Sequence, residues 1–170
     1  SGLISELYKF LVSSEFHDEL EIKCGKYLFD LAKISIKTFN PEIVDDLKTE
    51  NHLVTEYVKL IASAKIMFEG QERNLAGMAP FMQSENRELR KSAYEARWKF
   101  FEDNEKEFDR IYDELVKVRT KIAKKLGYKN FIELGYDRMR RTDYNWNDVE
   151  NFRDNVKKFI VPAAETLKDF

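Results

Sequence analysis

Between Glu85 and Leu126 the chain has neither glycine nor proline, and no other feature restricts its fold as much. Leu89, Ala93, Phe100, Ile111, Leu115, Val118, Ile122 and Leu126 recur there at helical spacing, and Gly127 supplies a stop. Unbroken, such a helix would reach about 63 Å at 1.5 Å per residue. An all-α helical bundle with one very long helix follows. Asn104, set among Glu102, Asp103 and Glu105, is the point where a kink would fall. Acids and bases are mixed along the run, which marks a solvated face with i,i+4 pairs rather than a binding patch.

The flanking segments read the same way. Leu3, Leu7, Phe10 and Leu11 form a first stripe, broken at Ser13-Ser14, where Ser14 can cap the next helix. Phe16, Leu20 and Cys24 form a second stripe, closed by Gly25 as a C′ residue. Leu28, Leu31, Ala32, Ser35 and Ile36 carry a third to about Thr38. Asn40-Pro41-Glu42 is a strong helix start, and Ile43, Leu47, Val54, Val58 and Ile61 extend that helix to about Ala64. The pattern departs from helix near residues 66–75, which predict a small β-hairpin or an extended excursion. Gly77 and Pro80 mark an irregular stretch or one short helical turn, and Ser84 opens the long run. Asn130-x-x-Glu133 fits a capping box for a helix to about Arg140. Arg141-Thr142-Asp143-Tyr144 is a loop, Asn145 caps a last helix, and Pro162 kinks or splits it at Val161. Residues 1–170 therefore read as a single helical region.

Composition narrows the function classes. Hydrophobic residues at 43% supply a real core. A net charge of −2 argues against a nucleic-acid binder. No apolar run approaches the roughly 20 residues of a membrane span, and no signal peptide opens the chain. A single cysteine, Cys24, cannot form an internal disulfide, which predicts a reducing, cytoplasmic setting. Ser1-Gly2 reads as a tag remnant, and the helical pattern is still running at Phe170. Both ends predict a piece of something longer.

Chemistry-bearing motifs are sparse. His17-Asp18-Glu19-Leu20-Glu21 lacks a second histidine at the fifth position, so it is not a metal helix. His52 and Glu56 offer two ligands where a catalytic metal needs three, and read as a solvent-facing pair. Cys24, on an apolar stripe, reads as a small buried hydrophobe. There is no Gly-x-Ser-x-Gly elbow and no phosphate loop. One cluster stands apart: Tyr136, Arg138, Arg140, Arg141, Asp143, Tyr144 and Trp146. Arginine and tyrosine at a helix–loop–helix junction can bind carboxylates or peptide backbone. The same residues can instead form a network that fixes the junction, and this is the more economical reading.

Longer words carry a family likeness. They are Phe39-Asn40-Pro41-Glu42-Ile43, the run from Glu56 to Ala64, the run from Leu75 to Ser84, and the run from Arg87 to Tyr94. The run from Ile111 to Lys125, Gly127-Tyr128-Lys129-Asn130-Phe131 and Arg141-Thr142-Asp143-Tyr144 complete the set. In this order and over nearly the whole chain they resemble the oligoendopeptidase F-like branch of the thimet-oligopeptidase zinc metallopeptidases. The resemblance implies an intracellular, almost wholly helical enzyme whose deep channel admits short peptides. It implies zinc held by a His-Glu-x-x-His helix and a later Glu, with the motif Glu as general base. None of that motif occurs in this chain, so no catalytic or metal residue is carried over and no cofactor is assigned to it.

The expectation is a non-catalytic helical portion of a zinc-dependent oligoendopeptidase, walling part of the substrate channel and inactive alone. Its partners would be short peptides, the missing catalytic half and, through uncovered faces, further copies of itself. Arg138, Arg141, Asp143 and Tyr144 are the candidate substrate-channel or structural-loop residues. The alternative is a stand-alone helical module that binds peptide or protein without catalysis.

Overall fold

The structure, a computed structural model, describes residues 2–168. In chain order it contains α1 (Gly2–Ser13), α2 (His17–Cys24), α3 (Lys26–Lys37), a 3₁₀ turn (Pro41–Ile43) and α4 (Val44–Ala62). Then come β1 (Ile66–Phe68), β2 (Gln71–Arg73), a second 3₁₀ turn (Ala76–Met78), α5 (Ala79–Met82), α6 (Arg87–Asp103) and α7 (Glu105–Lys125). The chain closes with α8 (Phe131–Arg138), α9 (Trp146–Asn155), a π-helical turn (Val156–Ile160) and α10 (Val161–Lys168). The all-α reading holds, with one two-stranded sheet inserted. Two compact units divide the chain: Val44–Lys121 is one, and Ser1–Ile43 with Ile122–Phe170 is the other.

Within Val44–Lys121, the long glycine-free run is divided at Asn104 into α6 and α7. Asn104 ends α6 with its N–H on Phe101 O and its side-chain amide on Phe100 O at 2.8 Å. A short polar side chain that bonds backbone locally competes with helical continuation. The start of α6 lies at Asn86 rather than Ser84. Asn86 Oδ1 accepts from Glu88 and Leu89 N–H, while Ser84 Oγ accepts from Asn86 N–H.

The hairpin pairs Ile66 with Arg73 and Phe68 with Gln71. Its turn places Glu69 at φ 49° and Gly70 at φ 73°, the two left-handed positions of a tight hairpin reversal. Alternation then drives Ile66 and Phe68 inward and Met67 outward. A lone hairpin is marginal, and here Ile66 and Phe68 join Met78 and Ala93 in a core covered by Leu75, Phe81, Leu89 and Phe100.

The longest-range polar links in this unit run between α4 and α7. Asp46 pairs with Lys121 at 2.7 Å, Glu50 with Arg119 at 2.7 Å, and Glu56 with Arg110 at 2.6 Å. One number falls as the other rises, so the helices are antiparallel. Asp46 and Glu50 are buried.

In the other unit, Phe29, Ala32, Ile43, Ile122, Ala123 and Leu134 are completely buried. Gly25, at φ 90°, separates α2 from α3 and returns its N–H to Glu21 O. Cys24, expected inside, is exposed, because α2 is short and buries none of its residues. Gly127, at φ 82°, ends α7 in a Schellman motif: its N–H reaches Lys124 O and that of Tyr128 reaches Ala123 O. Tyr128 Oη then donates to Asp137 Oδ2 at 2.5 Å, and Lys37 Nζ meets the same oxygen at 2.8 Å. Burial and the neighbouring carboxylate raise the Tyr128 phenol well above its ordinary range.

Pro162 does not split the last helix. Five residues before it adopt a π turn, in which Val161 N–H reaches Val156 O, and the helix continues to Lys168. No residue of the stretch from Trp146 to Lys168 is buried.

Truncating a buried carboxylate removes a charge-assisted hydrogen bond, whereas an exposed pair contributes little. Glu50→Ala is expected to lower stability by about 1.5–3 kcal/mol, Arg119 being exposed enough to regain water. Glu72→Ala, which removes the exposed 3.8 Å pair with Lys65, should cost less than about 1 kcal/mol. Urea unfolding of the two variants checks both.

Candidate functional site

Helix α8 begins at Asn130, whose side chain accepts from Ile132 N–H at 2.9 Å. Its far end shapes the cluster singled out in the sequence. Arg140 N–H bonds Asp137 O at 2.9 Å, and Arg141 N–H bonds Tyr136 O at 3.2 Å. This is a second Schellman motif, with Arg140 at φ 56° in the place usually held by glycine. The motif brings its last residue back beside the helix residue five earlier, so Arg141 returns to Tyr136.

The Arg141 guanidinium lies 4.9 Å from the Tyr136 ring centroid and 5.2 Å from that of Tyr144. The rings meet at 77° with centroids 6.4 Å apart. The cation occupies the corner between them, an arrangement suited to a planar guanidinium. Arg138 lies apart from this corner, 5.8 Å over Phe131. Asp143 is exposed, and no bond links its side chain to Arg141 among the described residues. Tyr144 and Arg141 are thus brought together, while Arg138 and Asp143 are not joined to them. The loop is closed by a capping box: Asn145 accepts from Asn147 N–H, and Asp148 accepts from Asn145 N–H at 2.8 Å.

A second polar group surrounds Arg110, which bonds Glu56, Glu107 and Glu114. His52 Nε2 lies 2.9 Å from the remaining Glu56 oxygen; His52 is exposed, whereas Glu56 is part-buried and bonded to Arg110. The hydrogen bonds from Arg110 hold the Glu56 and Glu107 carboxyls below the usual range, and burial opposes this only in part. Sequence spacing could place Glu107 and Glu114 beside Arg110, at i,i+3 and i,i+4. Nothing local signals Glu56, more than fifty residues away.

His17 sits at the edge of Phe29, 4.6 Å between centroids, with Asp18 at 3.0 Å. Among the described residues no three of His, Cys, Asp and Glu converge to hold a metal ion. The donor set of the described residues therefore does not fit a catalytic zinc. No described helix is long and apolar enough to cross a membrane.

Residues 80–168, more than half of the chain, match Peptidase family M3. This chain belongs to that family. Residues 1–39 match the Peptidase M3 N-terminal domain. Among solved structures, one described as an oligoendopeptidase F is 56% identical over 99% of this M3 chain, with a TM-score of 0.94. A PZ peptidase A with inhibitor 2 is also 56% identical over 99% of the chain, at a TM-score of 0.93. An oligoendopeptidase F from Bacillus anthracis str. Ames is 53% identical over 99%, at 0.92. The M3 chain spans 30%, 30% and 31% of those three chains, respectively. No curated protein matches it.

Arg140 holds a left-handed conformation that costs an L side chain about 1 kcal/mol or more. Arg140→Gly should raise stability by about 0.5 kcal/mol, the relief being partly offset by unfolded-state entropy; thermal unfolding reads it. For Arg110 the sign follows from the depressed Glu56 and Glu107 carboxyls. Their stabilisation is full above the ordinary glutamate pKa and fades as pH falls through the lowered folded values. Arg110→Gln should therefore flatten the loss of stability between pH 5 and pH 3, measured by urea midpoints.

Proposed function

We propose that this chain is a non-catalytic helical portion of a zinc-dependent oligoendopeptidase and forms part of the wall of its peptide channel. One observation carries the reading. The chain matches, almost end to end and at 56% identity, less than a third of a protein described as an oligoendopeptidase F. The two histidines, His17 and His52, fall outside any His-Glu-x-x-His pattern. Zinc, the general base and the scissile step then belong to residues outside this chain.

Two surface features support a wall. Val54, Tyr57, Phe108, Tyr112 and Leu115 line an open groove of about 520 Å³, large and apolar enough for peptide side chains. Phe152, Phe159, Ile160 and Leu167 are exposed along the final helical stretch, apolar surface of the kind that contacts usually cover. A catalytic portion packed there would cover it, and in its absence copies of the chain would cover one another. Arg138, Arg141, Asp143 and Tyr144 belong, in this reading, to a loop that either lines the channel or braces the wall.

The test is a comparison of the chain alone with the longer gene product. The chain alone should carry no stoichiometric zinc, cleave no peptide, and sediment above monomer mass at high concentration. The extended product should contain a downstream His-Glu-x-x-His and lose hydrolysis to a chelator. Chelator-sensitive cleavage by the 170 residues would overturn the proposal. A stop codon at this point would instead favour the stand-alone binding module.

A further inference from the structure

We propose that Arg141 is a carboxylate-binding group for peptides, held ready by the Tyr136–Tyr144 corner. The peptide as carrier rests on the oligopeptidase reading above, whereas the carboxylate chemistry rests on geometry alone.

The arginines of the chain differ in where their donors go. Arg110 spends its donors on three glutamates, Arg119 bonds Glu50, Arg90 bonds Ser84 O, and Arg73 bonds Phe68 O and Gln71. Arg141, like Arg97 beside Trp98 and Phe101, has ring contacts on its guanidinium and no side-chain hydrogen bond or ion pair among the described residues. These ring contacts put no acceptor oxygen on the guanidinium, so its N–H fork is not committed to an acid. That fork is the part that matches a carboxylate with two parallel bonds.

The acids nearby do not engage Arg141. Asp137 is committed to Tyr128 and Lys37, and Asp148 to the Asn145 backbone. Asp143 makes no bond to Arg141. Three arginines fall within the four positions 138–141, and the two acids that are bonded here are bonded elsewhere than to Arg141. The local field therefore favours an anion that the chain itself does not supply.

Arg141 is also preorganised. Arg141 is half-buried, fixed through its backbone by the Schellman bond to Tyr136 O and through its side chain by two rings. Little rotamer freedom remains to be lost on binding. The strained Arg140 backbone is what delivers it there.

Peptides offer this chemistry from two sources, the C-terminal carboxylate and an acidic side chain. The 170-residue chain, labelled with ¹⁵N, is titrated with three probes: N-acetyl-Ala-Phe-Ala as free acid, its C-terminal amide, and the C-terminal amide of N-acetyl-Ala-Glu-Ala. The Arg141 Nε–H resonance should shift saturably with at least one carboxylate probe, with Kd on the order of 1–10 mM, and stay in place with the plain amide. The free acid acting alone assigns the terminal carboxylate, and the glutamyl amide acting alone assigns the side chain. Arg141→Gln should weaken binding at least tenfold, and Arg141→Lys, which keeps the charge but loses the planar fork, should weaken it nearly as much. The Tyr128 resonances report whether the unit is intact in each variant. Equal shifts with acid and amide, no shift at all, or full binding retained in Arg141→Lys would overturn the proposal. If Arg141→Gln disturbs the fold, the wild-type contrast between acid and amide still decides. A silent Arg141 leaves the peptidase reading untouched, and a longer product without His-Glu-x-x-His leaves the titration untouched.

Discussion

Two buried carboxylates, Asp46 and Glu50, commit α4 to one register against α7. A hydrophobic stripe alone tolerates sliding by a turn, because leucine on leucine is much the same at either setting. A buried acid is different: displaced from its cation, it would remain desolvated and unpaired, at a cost of several kcal/mol. Lys121 and Arg119 meet those acids, and Glu56 with Arg110 repeats the match further along the same helices. The glycine-free run of the sequence thus does more than form a helix. It carries a ruler of basic residues spaced to meet an acidic one on α4.

Local physics made much of the fold legible. Asn40, Gly25, Gly127 and Asn145 act where capping chemistry says they should. The hairpin at residues 66–73 and the interruption at Asn104 also follow from the sequence pattern. The misplacements have local causes. Ser84 and Asn86 are both good caps, and which one wins depends on which side chain faces the first free N–H groups. Cys24 lay on an apolar stripe, but a two-turn helix that buries nothing gives the stripe no meaning. At Pro162 the helix is not split, because a π turn upstream accommodates the residue.

The candidate site divides in the same way. The arginine–tyrosine cluster was visible as composition. Which of its members would meet was not, because that hangs on Arg140 taking a backbone conformation that sequence rules assign to glycine. Once it does, Arg141 is returned to Tyr136, while Arg138 stays over Phe131. The Arg110 group shows the complementary limit: helical spacing finds Glu107 and Glu114 but not Glu56.

The π turn at Val156–Ile160 has a bearing on how this segment could change through insertion and deletion. Each residue in a helix advances the side-chain direction by about 100°. A turn that holds one residue more than usual therefore rotates everything after it by that amount relative to everything before it. Phe152, upstream, and Leu167, downstream, belong to faces offset by this step. Loss of one residue between them, with ordinary α geometry restored, would leave the two faces oriented as they are now, because the turn already absorbs that residue. The turn is thus a place where one residue can be gained or lost while the stripes on either side stay in phase with whatever packs on them.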